Sequence, residues 1–385
     1  MQALPPDTNR TAPALPGRLA DPPSPPPRRP ADLTGGEGQP LATTPPDETV
    51  QQADAITDDD SWLKQNLRNP RTILSFVLAL AILIFIFTRL NVPLAEIWDN
   101  IKHANLGFLA LGFLVYYGAF FLRGARWQQL LANVGFSRDK GYKIPTVPGL
   151  VEIIYLSWFV NCIVPAKLGD AYRSYLLKQA AGISFSRIIG TILAERMVDI
   201  VVLFTLLLTS AVFTFQGHLP AELNWTLAFG AVLVLILVVG LGTMRRFGHV
   251  VERLLPTRFR AQYVKLQEGT LQSFRRRSLP MLIGYTGLIW LMESGRLFFV
   301  TQSLDAHIAL SVVIFIALAS SLITTLPLTP GGAGLVEGAV FVVLKTVGVD
   351  DGTAFSIAVL DRVINYWSII FGGIVVYILS HRKRA

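Results

Sequence analysis

The chain has 385 residues, of which 52% are hydrophobic and 16% are charged, and its formal net charge is +8. A charged share this far below the roughly 25% of soluble domains excludes an ordinary soluble protein and indicates an integral membrane protein. The single cysteine, Cys162, excludes an intrachain disulfide and is expected to be a small buried side chain.

The first 60 residues differ from the rest of the chain. They hold 13 of the 23 prolines and ten acidic residues against four arginines, with no apolar run behind a basic start. This composition is typical of disordered segments and not of signal peptides. We therefore predict a disordered, proline-rich acidic tail over residues 1–60. A membrane domain is predicted over 61–385, with a first half at 61–243 and a second half at 244–385.

Seven continuous apolar runs follow the tail. A helix of about 20 residues crosses the roughly 30 Å hydrocarbon core of a bilayer. The apolar residues do not alternate as they do in membrane β-barrels. We therefore predict an all-α polytopic membrane protein. The apolar runs lie at residues 72–88, 106–122, 188–215, 223–243, 280–300, 308–326 and 353–380.

Basic residues predict which loops face the cytoplasm. Residues 123–143 hold five Lys or Arg and residues 245–277 hold nine, whereas 216–219 and 305–307 hold none. We predict that both basic segments and the basic ending HRKRA lie inside, with both termini cytoplasmic. This assignment gives about six full transmembrane helices only if two segments are re-entrant helical hairpins. The two segments are residues 149–178 and 308–349.

The two predicted hairpins are broken in the same way. In VPAKLGD and in TPGGAGL a glycine follows a proline by four residues. About thirty residues later, each half has an acid followed directly by an arginine. The matching residues, in order, are Arg126, Pro165, Gly169, Glu195 and Arg196 in the first half and Arg296, Pro330, Gly334, Asp361 and Arg362 in the second. The ordered set predicts an inverted repeat, in which broken helices meet near the membrane midplane. The alternative is that each half uses Pro and Gly independently to interrupt its helices.

Ionisable residues occur within or beside the apolar runs. A charge near the bilayer centre costs at least about 2.5 kcal/mol, so these side chains are expected to face one another or a wet cavity. Glu195 and Asp199 share a helix face, and Glu293 can pair with Arg296 one turn later. One interpretation is a set of structural ion pairs. The other is net positive potential for an anionic headgroup, because arginine binds phosphate oxygens in a bidentate manner. The arginines concerned are Arg173, Arg196, Arg296 and Arg362.

The break PGGAG precedes the helix that carries Glu337. A helix that begins there would present free backbone N–H groups, which attract anions. We therefore predict that Gly331, Gly332 and Gly334 bind substrate together with the four arginines. A dinucleotide loop is rejected, because Pro327 and Pro330 interrupt the strand that such a loop requires. The predicted supporting residues are Pro165, Gly169, Asp170, Glu195, Asp199, Pro330, Glu337 and Asp361.

The sequence carries no motif for a catalytic or metal site. The five histidines are scattered, and no HExxH, CxxC or P-loop is found. No metal, cofactor or nucleic-acid partner is therefore predicted, and an enzymatic activity has no support from the sequence.

Four stretches, VPAKLGDAYRSYLL, AERMVDIVVL, LPLTPGGAGLVEGAV and LDRVINYW, resemble the lysylphosphatidylglycerol synthase transmembrane-region family. The resemblance covers residues 71–380. It implies a flippase-like domain of the bacterial inner membrane that moves or modifies lipids. Members that aminoacylate lipids carry a soluble transferase domain after this region, whereas this chain stops shortly after Ser380, so lysyl transfer by the chain alone is not expected.

Three functions are consistent with the sequence. The leading hypothesis is a translocase for a lipid with an anionic or phosphate-bearing headgroup. The second is an accessory or scaffold subunit that binds a lipid-synthesis enzyme, using the basic residues of 245–277 against anionic lipid or the partner. The third is a membrane-embedded lipid transferase.

Overall fold

The computed structural model describes residues 94–164, 168–216, 224–325 and 329–384, together with Leu74, Val77 and Ala81. The predicted tail at 1–60, most of the first apolar run and the predicted site residue Pro165 lie outside the described residues. The residues that are described fall within one unit, Asp47–Ala385.

Every regular element of the described residues is a helix. The helices are α1 (Leu94–His103), α2 (Leu106–Asn133), α3 (Val147–Ile163), α4 (Gly169–Ala181), α5 (Phe185–Phe215), α6 (Asn224–Arg246), α7 (Gly248–Leu254), α8 (Thr257–Ser273), α9 (Leu279–Ser303), α10 (Leu310–Ile323), α11 (Leu335–Thr346), α12 (Asp351–Arg362) and α13 (Ser368–Arg384). A π-helical turn, Val363–Trp367, joins α12 to α13. The all-α prediction is confirmed for this part of the chain.

Polar side chains mark several helix starts. Asn105 accepts a hydrogen bond from the backbone N–H of Gly107 at 2.9 Å and begins α2. Asp350 accepts one from the N–H of Thr353 at 2.9 Å and begins α12. Such caps satisfy backbone donors that have no partner within the helix. They place the starts of two helices that carry or face the charged residues.

Four helical segments in the described residues are long and apolar enough to cross a membrane. They are Leu106–Lys140, Phe185–Phe215, Asn224–Arg246 and Asp351–Ser380. The helices α3 and α10 are shorter apolar helices of 17 and 14 residues. At 1.5 Å per residue they reach only about 20 to 25 Å, less than a bilayer core.

One topological prediction needs correction. Arg123 and Arg126 were assigned to a basic cytoplasmic loop at 123–143, but α2 continues through both residues to Asn133. They are only 6% and 2% exposed. The other three basic residues of that segment, Arg138, Lys140 and Lys143, lie beyond the helix. Both arginines have ion-pair partners inside the protein, so the buried part of the helix can continue past the end of the apolar run.

The interior is built around α2 and α9, which pack along each other. The helix α5 packs against α8 and α10, and α13 packs on α3. Two pairs of consecutive helices are each separated by a short segment that belongs to neither helix. Within each pair the two helices pack together, α3 with α4 and α10 with α11. We call residues 164–168 the first break and residues 324–334 the second break. Within the second break, Pro330–Gly332 packs against α3.

We expect Gly190→Ala to destabilise the protein by about 1 to 3 kcal/mol, the usual cost of forcing extra atoms into a close-packed interior. A Cβ at Gly190 of α5 would overlap the carbonyl oxygen of Leu266 on α8, and a backbone atom cannot move aside as a side chain can. Thermal unfolding of the detergent-solubilised protein measures the effect. The matched control is Gly240→Ala, where a Cβ meets nothing within 4 Å. Equal melting temperatures for the two variants would contradict the prediction.

Candidate functional site

A cavity of about 580 Å³ lies beside the second break and is walled by both halves of the chain. Apolar side chains such as Leu203, Phe229 and Leu297 form part of its wall. The rest is polar and includes nine of the predicted site residues. These nine are Asp170, Glu195, Arg196, Asp199, Arg296, Gly331, Gly332, Asp361 and Arg362. The chain therefore forms a charged cavity among membrane-type helices.

Arg126 of α2 is the centre of the charged cluster in the first half. It donates to Glu195 Oε1 at 2.9 Å and to Asp199 Oδ2 at 3.1 Å, both on α5. It also donates to the hydroxyl of Thr286 on α9 at 2.8 Å. The prediction that Glu195 and Asp199 share one face is confirmed, since a single guanidinium binds both. This arginine ties three helices together.

Arg296 of α9 holds the corresponding position in the second half. It donates to Asp361 of α12, and its Nε lies 3.4 Å from Oε2 of Glu293, as the i,i+3 spacing predicts. The other carboxylate oxygen of Asp361 accepts from Asn365 at 2.7 Å. In each half, an arginine on the helix that precedes the pair of helices flanking the break, α2 or α9, thus binds the acid of the acid–arginine dipeptide.

One ion pair joins the two central helices directly. Arg123 of α2 donates to Glu293 of α9 at 2.8 Å, and both side chains are buried. Arg123 precedes Arg126 by three residues, just as Glu293 precedes Arg296. Its guanidinium also lies 4.6 Å from the ring centroid of Trp158 on α3. The contact holds the two halves together at their matching positions.

The arginines of the two acid–arginine dipeptides bind acids on the helices that follow the breaks. Arg196 donates to Asp170 Oδ1 at 2.9 Å, and Arg362 donates to Glu337 Oε1 at 3.0 Å. The pairs differ in exposure: the Arg196 side chain is 33% exposed, whereas that of Arg362 is 7% exposed. Among the arginines that line the cavity in the described residues, Arg196 has the most exposed side chain.

The second break binds Arg362 through its backbone. Gly331 and Gly332 have φ angles of +57° and +72°, which glycine adopts without the steric cost of a side chain. Their carbonyl oxygens accept from Arg362 at 3.2 and 2.9 Å. The nearby hydroxyl of Tyr366 donates to the carbonyl of Cys162, at the end of α3. Gly331 and Gly332 are thus held by a cation, and this part of the break packs against α3.

The structure changes the predicted role of the helix that begins after PGGAG. The N–H of Gly334 donates to Oε2 of Glu337 at 2.8 Å, so the helix is capped by its own carboxylate. Gly331 and Gly332 face Arg362 with carbonyl oxygens, which bind cations and not anions. The prediction that free N–H groups of these glycines hold an anion does not agree with this geometry. The sequence analysis included Glu337 as a supporting residue but did not predict that its carboxylate caps this helix.

Five predicted site residues do not line the cavity wall. Arg173 is 1% exposed and lies between Glu195, at 2.9 Å, and the ring of Trp127, at 3.7 Å. Gly169 begins α4 and donates its N–H to Asn161. Pro330 is buried in the second break. Gly334 and Glu337 form the cap described above. These residues support the site and lie behind its surface.

The charges of the described cluster cancel. Six arginines pair with six carboxylates, so the expected excess of positive charge is not found among these residues. The arginines are Arg123, Arg126, Arg173, Arg196, Arg296 and Arg362, and the acids are Asp170, Glu195, Asp199, Glu293, Glu337 and Asp361. Buried charges require such pairing, since an unpaired ion in an apolar medium is costly. Within the same residues, no group of three or more His, Cys, Asp or Glu is arranged to hold a metal ion.

Several residues of the cavity wall were not predicted as site residues. Arg123 and Arg126 had a detectable signal, because LRGARW repeats the i,i+3 spacing of Glu293 and Arg296 within a helical run. The aromatic and amide side chains of the wall, Trp158, Asn161, Trp290 and Asn365, had none, because no charge or repeated spacing in the sequence marks them.

The fold and the enclosed site define an all-helical integral membrane protein with an ionised cavity. The chain belongs to the family described as the lysylphosphatidylglycerol synthase TM region, whose model matches residues 72–373. The resemblance noted from the sequence is thereby confirmed.

Similar proteins come from archaea. The UPF0104 membrane protein MJ1078 of Methanocaldococcus jannaschii is 35% identical over 227 residues, which cover 58% of this chain and 94% of that protein. The UPF0104 membrane protein PH1989 of Pyrococcus horikoshii is 24% identical over 308 residues, which cover 73% of this chain and 89% of that protein. The glycosyltransferase AglD of Haloferax volcanii is 25% identical over 335 residues, which cover 77% of this chain and 53% of AglD.

Proposed function

We propose that this protein is a translocase that moves a lipid with an anionic or phosphate-bearing headgroup across the bacterial inner membrane. The observation that carries the proposal is the charged cavity of about 580 Å³ among apolar helices. Twelve ionised side chains in such helices are costly to place in a membrane, and intramembrane charges typically mark a substrate path. A polar cavity gives a headgroup a route that the hydrocarbon core does not.

The exposure of the two related ion pairs supports translocation in particular. We infer that the helix pairs α3–α4 and α10–α11 are re-entrant hairpins of an inverted repeat. In such a repeat the pairs Asp170–Arg196 and Glu337–Arg362 are counterparts. The Asp170–Arg196 pair is partly exposed beside the cavity, whereas in the Glu337–Arg362 pair the arginine is buried and bound by the carbonyls of Gly331 and Gly332. Exchange of these two states would expose the headgroup site first to one side of the membrane and then to the other.

A test of the hairpins uses cysteine labelling in spheroplasts. On a Cys162→Ser background, Ala180→Cys is expected to stay unlabelled by an impermeant external reagent, because the first hairpin returns to the cytoplasm. Thr346→Cys is expected to react, because the second returns to the outside. Both side chains are exposed and neither residue caps a helix. Labelling of Ala180→Cys, or protection of Thr346→Cys, would show that the re-entrant hairpins are wrong.

The function is tested with purified protein in liposomes that carry a fluorescent phosphatidylglycerol. Added dithionite bleaches the outer leaflet only, so the inner-leaflet label survives unless lipid moves outward. We expect the protein to expose the inner-leaflet label and empty liposomes to retain it. A heat-denatured sample made in parallel excludes leakage caused by the added protein. Full retention of the inner label, with and without an ion gradient, would contradict translocation.

Two other functions have specific support and give different results in the same liposomes. The AglD relative is named a glycosyltransferase, which favours a lipid transferase. That function predicts a new lipid species by mass spectrometry when a donor is supplied. The basic helices α7, which carries Arg253, and α8, together with Arg245 and Arg246 at the end of α6, favour a scaffold that binds anionic lipid or a synthesis enzyme. A scaffold predicts tight lipid binding without movement.

A further inference from the structure

Besides its charged side chains, the cavity wall carries apolar side chains of α5 and α6 that are only partly buried. Ile200 of α5 and Phe229 and Leu233 of α6 line the cavity, and each keeps part of its surface accessible. Packing within the described part of the chain therefore does not cover these side chains completely. Apolar surface gains free energy when an apolar group covers it, so this part of the wall favours the hydrocarbon part of a ligand.

The apolar part of the wall begins one helical turn from the accessible cation. Arg196 and Ile200 are four residues apart on α5, so they share a face of the helix and lie about 6 Å apart along its axis. Both line the cavity, and the Arg196 side chain is 33% exposed. On α6, Phe229 and Leu233 have the same spacing and also share a face. The wall thus changes from a cation to hydrocarbon over a short distance, as a lipid changes from headgroup to acyl chains.

The size of the cavity limits how much of a lipid it can hold. Its volume of about 580 Å³ lies within the range of pockets that bury a drug-sized ligand. Such a space takes a headgroup and the first part of the acyl chains, but the two long chains of a membrane lipid extend beyond it. The chains therefore need an apolar route from the cavity to the bilayer.

The helix α6 is a wall one helix thick in the described structure. Leu233 lines the cavity, whereas Val232, Leu235 and Ile236 are 52%, 62% and 59% exposed. Because α6 is long and apolar enough to cross a membrane, this outward face meets lipid chains. The single buried residue of α6 is Gly230, where an added Cβ would overlap a phenylalanine ring of α5. The helix is therefore held closely at one point and has no other buried residue.

We propose that Ile200, Phe229 and Leu233 form the acyl-chain subsite of the cavity, and that the chains pass from this subsite to the bilayer beside α6. Arg196 binds the phosphate of the same lipid. The inference rests on the proposed lipid-binding site and specifies its ligand as a diacyl lipid that enters sideways from the bilayer, in place of a water-soluble phosphate compound.

The first test uses a phosphatidylglycerol with a photoreactive diazirine in one acyl chain, incorporated into liposomes with the full chain. After illumination, mass spectrometry of the peptides locates the adducts. We expect adducts on the inward residues Phe229 and Leu233, as well as on the outward residues Val232 and Leu235, which bulk lipid reaches. Arg196→Lys should lower the inward labelling at least about threefold and leave the outward labelling unchanged, because it weakens the hold on the phosphate. Adducts on outward residues alone, or an unchanged ratio in the variant, would overturn the proposal.

A matched pair of variants tests the contribution of α6 to lipid affinity. Leu233→Ser removes an apolar side chain of the cavity wall, and Leu235→Ser makes the same change on the outward face of the same helix. We expect Leu233→Ser to weaken phosphatidylglycerol binding about fivefold and Leu235→Ser to leave it near the parent value, as measured by native mass spectrometry in detergent. Melting temperatures show whether each variant is folded. Equal affinities of the two folded variants would contradict the subsite, and if Leu233→Ser does not fold, the labelling of the parent decides.

A competition measurement distinguishes the lipid from a soluble phosphate compound. Glycerophosphoglycerol carries the same headgroup as phosphatidylglycerol but has no acyl chains. We expect it not to displace the bound lipid at equal concentration, because it makes no contact with the apolar wall. Displacement at equal concentration would assign the cavity to a soluble phosphate compound and overturn the proposal.

The outcomes separate this inference from the proposed function. Photolabelling reports where the acyl chains lie and needs no movement between leaflets. Inward labelling without movement of any lipid would contradict translocation and keep the acyl-chain subsite. Movement without inward labelling would support translocation and overturn the subsite.

Discussion

Replacing Arg126 by methionine is expected to lower the free energy of unfolding by about 3 to 5 kcal/mol, the usual cost of leaving buried ions without their partner. Arg126 is 2% exposed and binds both Glu195 and Asp199. Methionine keeps the apolar stem but leaves one oxygen of Glu195 unpaired in the protein interior, and it leaves Asp199 with only a 4.0 Å contact to Arg196. The contact with Thr286 of α9 is lost at the same time. An unfolding titration with SDS in mixed micelles measures the change.

The matched control is Arg187→Met. Arg187 also pairs with an acid, Glu268, but the two side chains are 36% and 37% exposed. Ion pairs that water reaches contribute about 1 kcal/mol or less, so this variant should unfold near the parent. If Arg126→Met were as stable as Arg187→Met, the buried cluster would not be what holds α2, α5 and α9 together.

The second large effect is expected for Arg196→Lys, which should reduce lipid movement at least tenfold while leaving stability near that of the parent. Lysine keeps the charge but loses the planar fork that binds two phosphate oxygens at once. Because the Arg196 side chain is one-third exposed, its pair with Asp170 contributes little to folding. The liposome assay and the SDS titration are run on the same preparations.

Arg362→Lys is expected to give the opposite result. Arg362 donates to both oxygens of Glu337 and to the carbonyls of Gly331 and Gly332. A lysine ammonium cannot reach all of these acceptors, so the second break loses its clamp and stability falls. We therefore propose a structural role for Arg362, in place of the headgroup contact that the sequence suggested. A stable Arg362→Lys protein with impaired movement would reverse the assignment of the two arginines.

The sequence predicts the helices well where apolar runs coincide with them. The run at 223–243 agrees closely with α6, because that helix faces outward and has a single buried residue, Gly230. The run at 106–122 falls short of α2, which ends at Asn133. Hydropathy treats every arginine as solvated, and it cannot show that Arg123 and Arg126 are neutralised by side chains more than 60 residues away. The π-helical turn after Arg362 also has no local signal.

The sequence predicts some contacts of the candidate site and misses others. The missed contacts join residues that are far apart along the chain. Pairs within one helix, such as Glu293 with Arg296, follow from the geometry of the α-helix. Pairs between helices do not. Glu195 was predicted as a supporting residue, but the sequence does not show which arginine it binds, since successive residues such as Glu195 and Arg196 point about 100° apart on a helix. Arg196 instead binds Asp170, and Glu195 binds Arg126 and Arg173.

The ion pair between Arg123 and Glu293 limits which halves of the proposed repeat could pair with each other. In the proposed repeat these residues occupy matching places, and they meet each other across the boundary between the halves. Two copies of the first half would set two guanidinium groups face to face, and two copies of the second would set two carboxylates face to face. A symmetric homodimer of either half would therefore repel itself at its centre. Because this position carries opposite charges in the two halves, each half is attracted to the other half and repelled by a second copy of itself.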